Sequence, residues 1–193
     1  MTLKVENKDS EISTQVNIGK HEGPIKIGRK TRFSKRFERL NQEVSADARY
    51  EGVMEELKYY LTKLDGVDMP TKLEDGGFDK HEIWRATKRK ENYWKKLEKT
   101  KYFESAQWIN SQLFAKIKID FENHVERPLI KNNASKDQIL DALVKKVITP
   151  VLKLLNEEGE SDEILNFTAE DIYGIVYFLT GKCHINWANY DNI

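Results

Sequence analysis

The sequence predicts an all-α protein in the main: a single helical domain of five or six helices preceded by a short polar N-terminal arm. Three observations predict it. From Ser34 onward apolar residues recur at helical spacing, polar capping residues open several of those segments, and glycine or proline closes them. The division falls between residues 1–33, the arm, and residues 34–193, the helical domain.

In the arm the pattern alternates instead. Gln15–Ile18 and Ile25–Ile27 are two short runs separated by Gly19 to Pro24, which fits a β-hairpin. A two-stranded hairpin is marginal alone in water, so this one needs a surface to cover its Val16, Ile18, Ile25 and Ile27 face. The helical pattern begins with Phe37, Leu40 and Val44 on one short face. Ser45 is then the expected N-cap of a stronger helix, with Asp47 in its first turn. That helix carries Tyr50, Val53, Met54, Leu57, Leu61 and Leu64 as one buried stripe, and Asp65-Gly66 ends it. Pro70 and Gly76-Gly77 keep the next stretch a loop.

Asp79 and Glu82 mark the start of a helix over Lys80 to about Lys101, with Ile83, Trp84, Thr87, Trp94 and Leu97 turned inward. The next helix spans about Phe103 to Glu126. Ala106, Ile109, Leu113, Ile117 and Phe121 form its core face, Trp108 and Phe114 widen that face, and Pro128 stops the helix. Ser135-x-x-Gln138 is a capping box that opens a helix through Ile139, Leu143 and Val147. Val151 and Leu155 continue the stripe past Pro150, which is expected to kink or split the helix. Thr168 caps a last helix, Ala169 to Thr180, with Gly181 at its C-cap. The apolar tail Cys183–Trp187 is expected to pack back on the body.

Composition narrows the class. A chain of 193 residues buries a real core, and its one cysteine, Cys183, makes an internal disulfide impossible. A lone thiol fits a reducing, cytoplasmic setting. Met1 to Thr14 has no apolar region of the kind that marks a secretory signal, and the longest apolar run, Ile172–Leu179, is too short for a membrane span. Net charge is zero, but the charges are segregated. Lys20 to Arg39 and Arg85 to Lys101 are strongly basic, and Lys153 to Asp171 is strongly acidic.

Few residues suggest chemistry. Gly23 to Thr31 resembles a phosphate-binding loop, but Arg29 is inserted before Lys30 and no buried parallel strand precedes it, so a basic turn is the simpler reading. His21, His81, His124 and His184 have no metal-binding spacing, and one cysteine builds no cysteine-rich zinc site. Cys183 and His184 are sequence neighbours whose side chains leave the backbone in different directions. A packed thiol is therefore favoured over a nucleophile. Asp65, Asp68 and Asp75 flank turn glycines and read as turn residues, without the spacing of a calcium loop. No catalytic, metal-binding or cofactor-binding residue is nominated, and no cofactor is expected.

The basic segments are the stronger signal. Lys88, Arg89, Lys95, Lys96 and Lys99 are candidates for neutralising nucleic-acid phosphates, with Tyr93, Trp94 and Tyr102 available to stack on bases. A solvated helix face explains the same residues more simply, and an acidic protein partner is a third reading. In the arm, Val16, Ile18, Ile25 and Ile27 with Arg29, Lys30 and Arg32 are candidate partner-binding residues. They suit strand addition or an acidic surface such as Glu157–Asp171, on this chain or on another copy.

Three strings point to a family: Glu56 to Gly66 (ELKYYLTKLDG), Glu104 to Ile117 (ESAQWINSQLFAKI) and Phe167 to Trp187 (FTAEDIYGIVYFLTGKCHINW). Over about Tyr50 to Trp187 the chain resembles the helical C-terminal domains of bacterial ABC three-component conflict systems. The resemblance implies an adaptor that ties an effector to an ABC-type ATPase, and it supplies no catalytic residue. A short arm stands where the usual layout has an effector, which leaves two options: a free-standing adaptor or middle subunit, or a divergent relative with another job.

The resulting expectation is a non-enzymatic, cytoplasmic adaptor or accessory subunit of an anti-phage defence complex. Its partners would be the ABC-type ATPase, the effector or another copy of itself, with no membrane contact. The alternative is a nucleic-acid-binding protein using residues 85–101 and 20–39. An enzyme built on Cys183 or the loop carboxylates ranks third. For Gly23 to Thr31 the expected result of calorimetry with Mg-ATP is no heat of binding; a micromolar affinity abolished by Lys30→Ala would overturn it.

Overall fold

The computed structural model describes residues 30–190. No strand occurs among them, and the helices are α1 (Arg32–Ser45), α2 (Glu55–Leu61), α3 (Met69–Asp75), α4 (Lys80–Thr100), α5 (Glu104–Phe121), α6 (Lys136–Leu143), α7 (Thr149–Glu158) and α8 (Ala169–Gly181). A π-helical turn, Val144–Ile148, joins α6 to α7 as one rod. The described residues thus hold more helices than the five or six expected, and the proposed hairpin lies outside them. The helical body begins at Arg32, where Thr31 accepts a hydrogen bond from Ser34 N–H as N-cap.

At the centre is α5. Ala106, Ile109, Leu113, Phe114, Ile117 and Phe121 are buried, and so are its polar residues Ser105, Gln107, Asn110 and Ser111. A helix buried over most of its surface, with Gln112 and Ile119 left exposed, must place its buried polar groups on partners. Here Tyr93 Oη donates to Asn110 Oδ1 at 2.7 Å, and Asn110 Nδ2 donates to Ala106 O at 2.8 Å. No side chain of α5 caps its N-terminus, so α1 supplies the cap. Glu43 accepts from Ser105 N–H at 3.0 Å and from Ser105 Oγ at 2.8 Å. Arg39 in turn donates to Glu43 and to Glu104.

Beside α5, α4 and α8 make the most extensive helix–helix contact among the described residues. Gly174 lies at their closest approach. A Cβ built there would fall 2.6 Å from Tyr93 Cβ and 2.7 Å from Arg89 O, closer than atoms pack. The tail closes the base of the domain, as expected. Cys183, Ile185 and Trp187 are buried, and the Trp187 ring packs on Phe78 and Phe121 while its Nε1 donates to Thr180 Oγ1 at 3.0 Å.

Four expectations are corrected. No helix spans residues 45–64. Asp47 has φ +46°, residues 46–54 are irregular, and α2 is only seven residues long. Backbone groups that such a helix would use are taken from outside: Tyr50 N–H by Tyr102 O, Gly52 O by Gln107 Nε2, and Met54 N–H by Gln107 Oε1. Of the supposed stripe Leu57 is fully buried, whereas Tyr50, Val53 and Leu64 are exposed.

Residues 69–75 are helical rather than looped. Pro70 stands in the first turn, where its missing N–H costs nothing, and Asp68 caps Thr71 N–H at 2.9 Å. The inward face of α4 is Ala86, Tyr93, Leu97 and Thr100, so Trp84 and Trp94 turn outward, 57% and 38% exposed. Gly181 is the last residue of α8 instead of its cap. The left-handed position falls on Cys183, φ +68°, and His184 N–H reaches back to Leu179 O.

Other elements match their expectations. Capping boxes open α4, α6 and α8 at Asp79, Ser135 and Thr168. Pro150 falls where the α6–α7 rod changes hydrogen-bond pattern, with Thr149 N–H bonded to Val144 O.

Gly174→Ala is expected to lower stability by about 1–3 kcal/mol through overpacking, against a helix-propensity gain of about 1 kcal/mol. Gly181→Ala, whose Cβ would meet nothing nearer than 3.7 Å, is expected to be neutral or stabilising. Urea unfolding of both variants checks the contrast.

Candidate functional site

The five basic residues of α4 named as candidates for phosphate contacts, Lys88, Arg89, Lys95, Lys96 and Lys99, separate into two sets. Arg89 and Lys96 are held by the start of α8. Arg89 makes a fork to Glu170, Nε to Oε2 at 2.7 Å and Nη2 to Oε1 at 2.8 Å, and lies 4.6 Å over the Tyr173 ring. Lys96 donates to Asp171 Oδ2 at 2.7 Å and to Asn166 O at 3.2 Å. Glu170 and Asp171 occupy the first turn of α8, where the helix dipole favours negative charge. Lys88 pairs with Glu91 on its own helix at 3.0 Å, and Lys95 and Lys99 are exposed.

Of the arm residues, Val16, Ile18, Ile25, Ile27 and Arg29 lie outside the described segment. Lys30 is exposed and pairs with Glu38, and Arg32 lies 5.8 Å over the Trp108 ring, beside Arg36 at 5.3 Å. Thr31 donates to Glu158 and Asn41 donates to Ser161 O, which places the start of α1 against the acidic segment.

His21 and residues 23–29 lie outside the described segment, while Cys183 and the loop carboxylates Asp65, Asp68 and Asp75 are each tied into the fold. The Cys183 thiol donates to Asp65 Oδ1 at 2.7 Å, and the fully buried Lys72 donates to Asp65 Oδ2 at 2.8 Å and Asn186 Oδ1 at 2.6 Å. Burial would push the Asp65 carboxyl up, but hydrogen bonds from Cys183, Lys72 and Val67 N–H together hold it down at about 2. Asp68 caps α3, and Asp75 accepts from Tyr190 Oη at 2.7 Å. Among the described residues no three histidine, cysteine or carboxylate groups gather as a metal site. No helix among them is long and apolar enough to cross a membrane.

His184 is the exception to this engagement. It is 5% exposed, wedged against the Tyr59 and Tyr60 rings at 4.9 and 5.2 Å, and neither ring nitrogen has a hydrogen-bond partner. Burial, with the nearby Lys118 ammonium, lowers its pKa from the ordinary value and outweighs the pull of the Tyr59, Thr62 and Tyr60 backbone, which lies near the ring without reaching hydrogen-bond geometry.

A feature that the sequence did not disclose is a groove of about 310 Å³ between α4 and the end of α8, lined by Lys90, Glu91, Trp94, Phe178, Gly181 and Lys182. Its floor is a stacked pair, Trp94 on Phe178 at 5.7 Å, continued inward by Phe114 at 5.5 Å from Phe178. The only trace in the sequence is Lys90 and Trp94 at i,i+4 spacing. Which face that pair adorns depends on how α4 is rotated against α8.

The class defined by these features is an all-α domain built round one buried helix, with a closing helix and tail that pack into it. Residues 68–187, more than half of the chain, match the family model of C-terminal domain 9 of the ABC-three component (ABC-3C) systems, and the chain belongs to that family. The match takes in α3 to α8 and the tail, so α1, α2 and the string Glu56–Gly66 lie outside it. No curated protein and no solved structure matches the chain.

His184 generates a pH prediction. Its folded-state pKa lies below the unfolded value of about 6.5. The unfolded chain therefore binds the extra proton first, and the neutral-histidine contribution is complete above about pH 6.5 and lost as pH falls below it. Urea midpoints at about pH 7.5 and about pH 5 are expected to show this loss. His184→Leu is expected to lose less over the same interval, whereas an equal loss in both proteins would assign it elsewhere.

Proposed function

We propose that this chain is a non-enzymatic adaptor or accessory subunit that binds protein partners within a bacterial ABC-ATPase-based defence complex in the cytoplasm. The observation that carries the reading is the family membership of residues 68–187, the segment that holds α3 to α8. The family places the chain in a three-component system, and such systems need contacts between components. The use of Cys183, Asp65, Lys72 and Asp75 in packing also supports a binding role over chemistry at those residues. The partners on this reading are the ABC-type ATPase, the effector, or both.

A second reading, nucleic-acid binding, is favoured by one observation. Lys95 and Lys99 stand one turn apart and exposed on α4, with Lys88 two turns from Lys95. Against it, Arg89 and Lys96 already serve Glu170 and Asp171.

Co-purification of the full chain with the ABC-type ATPase of its system tests the proposal, and a complex that survives gel filtration is the expected result. Failure to form one, together with tight binding of duplex DNA that weakens steeply with salt, would replace it by the second reading. Deleting residues 1–29 leaves Thr31 to cap α1 and Phe33 to pack on Trp108. The truncated protein is expected to melt cooperatively with unchanged helicity and to lose capture of its partner. Unchanged capture would remove the arm from the interface.

A further inference from the structure

We propose that the groove between α4 and the end of α8 is a docking site for an acidic linear segment of a partner protein that carries one large apolar or aromatic anchor. The inference rests on the protein-binding reading only in taking the occupant to be a polypeptide. Three properties of the groove define that occupant.

The first is its size. About 310 Å³ is at the lower end of ligand clefts, enough for one large side chain and little more. The second is its floor. Trp94 is 38% exposed, yet its indole is seated on Phe178, itself buried and backed by Phe114, in a stacked column that reaches α5. A large aromatic surface held rigid by the core loses little freedom when a partner covers it, the usual condition of an interface hot spot. The apolar surface continues past the groove. Leu64 N–H donates to Lys182 O at 3.2 Å and a Cβ on Gly181 would sit 3.7 Å from Met69 Cβ, so the loop before α3 runs along the far wall. That loop exposes Leu64 and Val67.

The third property is charge. Lys90 and Lys182 flank the aromatic floor, and neither makes an ion pair with a described residue; Lys182 lies 5.8 Å over the Phe178 ring. Nearby Lys63 adds a further cation, donating to Gly66 O at 3.3 Å. Of the acids near these lysines, Glu91 pairs with Lys88, and Asp68, which caps α3, feels the charges of Lys63 and Lys90. The contrast with Arg89 and Lys96 on the same helix is direct, since both of those have carboxylate partners within the fold. The balance round the exposed apolar floor is positive, three lysines against Asp68 with Glu91 paired to Lys88, and an excess of cations there is complementary to carboxylates placed either side of an apolar anchor; such charges guide encounter and register.

The test is selection of a displayed library of random dodecapeptides on the full chain, followed by fluorescence anisotropy of the enriched peptides after synthesis. Enriched sequences are expected to share one large apolar or aromatic residue with neighbouring aspartates or glutamates. Trp94→Ala, and separately the double reversal Lys90→Glu with Lys182→Glu, are expected to weaken binding by about tenfold or more. Lys153→Glu, on α7, is expected to leave it unchanged. The surface reversals keep the test valid if Trp94→Ala perturbs folding, which circular dichroism reports.

The inference is overturned if no peptide enriches, or if enriched peptides bind the double reversal as well as they bind the wild type. It is also overturned if replacing the anchor by alanine costs nothing, which would reduce the effect to bulk charge. Displacement of the peptides by a single-stranded oligonucleotide, with loss of oligonucleotide binding in the same variants, would reassign the groove to nucleic acid. A wild-type complex with the ATPase alongside a failed selection would leave the adaptor reading in place and remove only the groove.

Discussion

The close crossing of α4 and α8 at Gly174 is the constraint on which the rest of the domain depends. The missing Cβ lets Tyr93 and the Arg89 backbone come against α8, and no other residue at that position would. That contact fixes the rotation of α4. With Tyr93 inward, its hydroxyl reaches Asn110 in the middle of α5 and ties both helices to the buried centre. Arg89 and Lys96 then face the first turn of α8, and Trp84 and Trp94 turn outward.

Charge segregation along the chain takes its meaning from this packing. The basic α4 and the acidic start of α8 are more than sixty residues apart, yet they form one seam, Arg89 with Glu170 and Lys96 with Asp171. The same device recurs where α1 meets α5. Glu43 caps a helix end that has no local cap, and Arg36 and Arg39 neutralise the adjoining Glu104. Much of the charge that looks free in the sequence is therefore spent inside the fold. The cations left over, Lys90 and Lys182 beside Trp94, and Lys95 and Lys99 further along α4, are the ones available to a partner.

Legibility varied with how local the decisive interaction is. The caps at Asp79, Ser135 and Thr168 lie within three residues of the groups they satisfy, and each was readable. The core face of α5 was readable too, because its apolar residues recur at helical spacing and its wide buried face tolerates error in phase. The span 45–64 was not readable. Its apolar letters keep helical spacing, but Gln107 and Tyr102 O, distant in sequence, hold its backbone in another shape. On α4, Leu97 and Ile83 turn inward as their spacing predicts, but Trp84 and Trp94 do not, because Tyr93 and Trp94 are adjacent and both aromatic and periodicity alone does not rank them. The groove followed from that ranking, so it was hidden as well.

By itself the sequence determined the helical class, most helix starts, the core face of α5 and the packing of the tail, and, through the strings within residues 68–187, the family. These depend on short-range rules: a cap bonds within one turn, and apolar periodicity selects a face. Only the tertiary structure decided which face of α4 is inward, which cations have partners, and where an apolar surface stays open. Those outcomes are set by contacts between distant segments, above all at Gly174. A glycine in a sequence records that a side chain is absent and says nothing of which helix will fill the space.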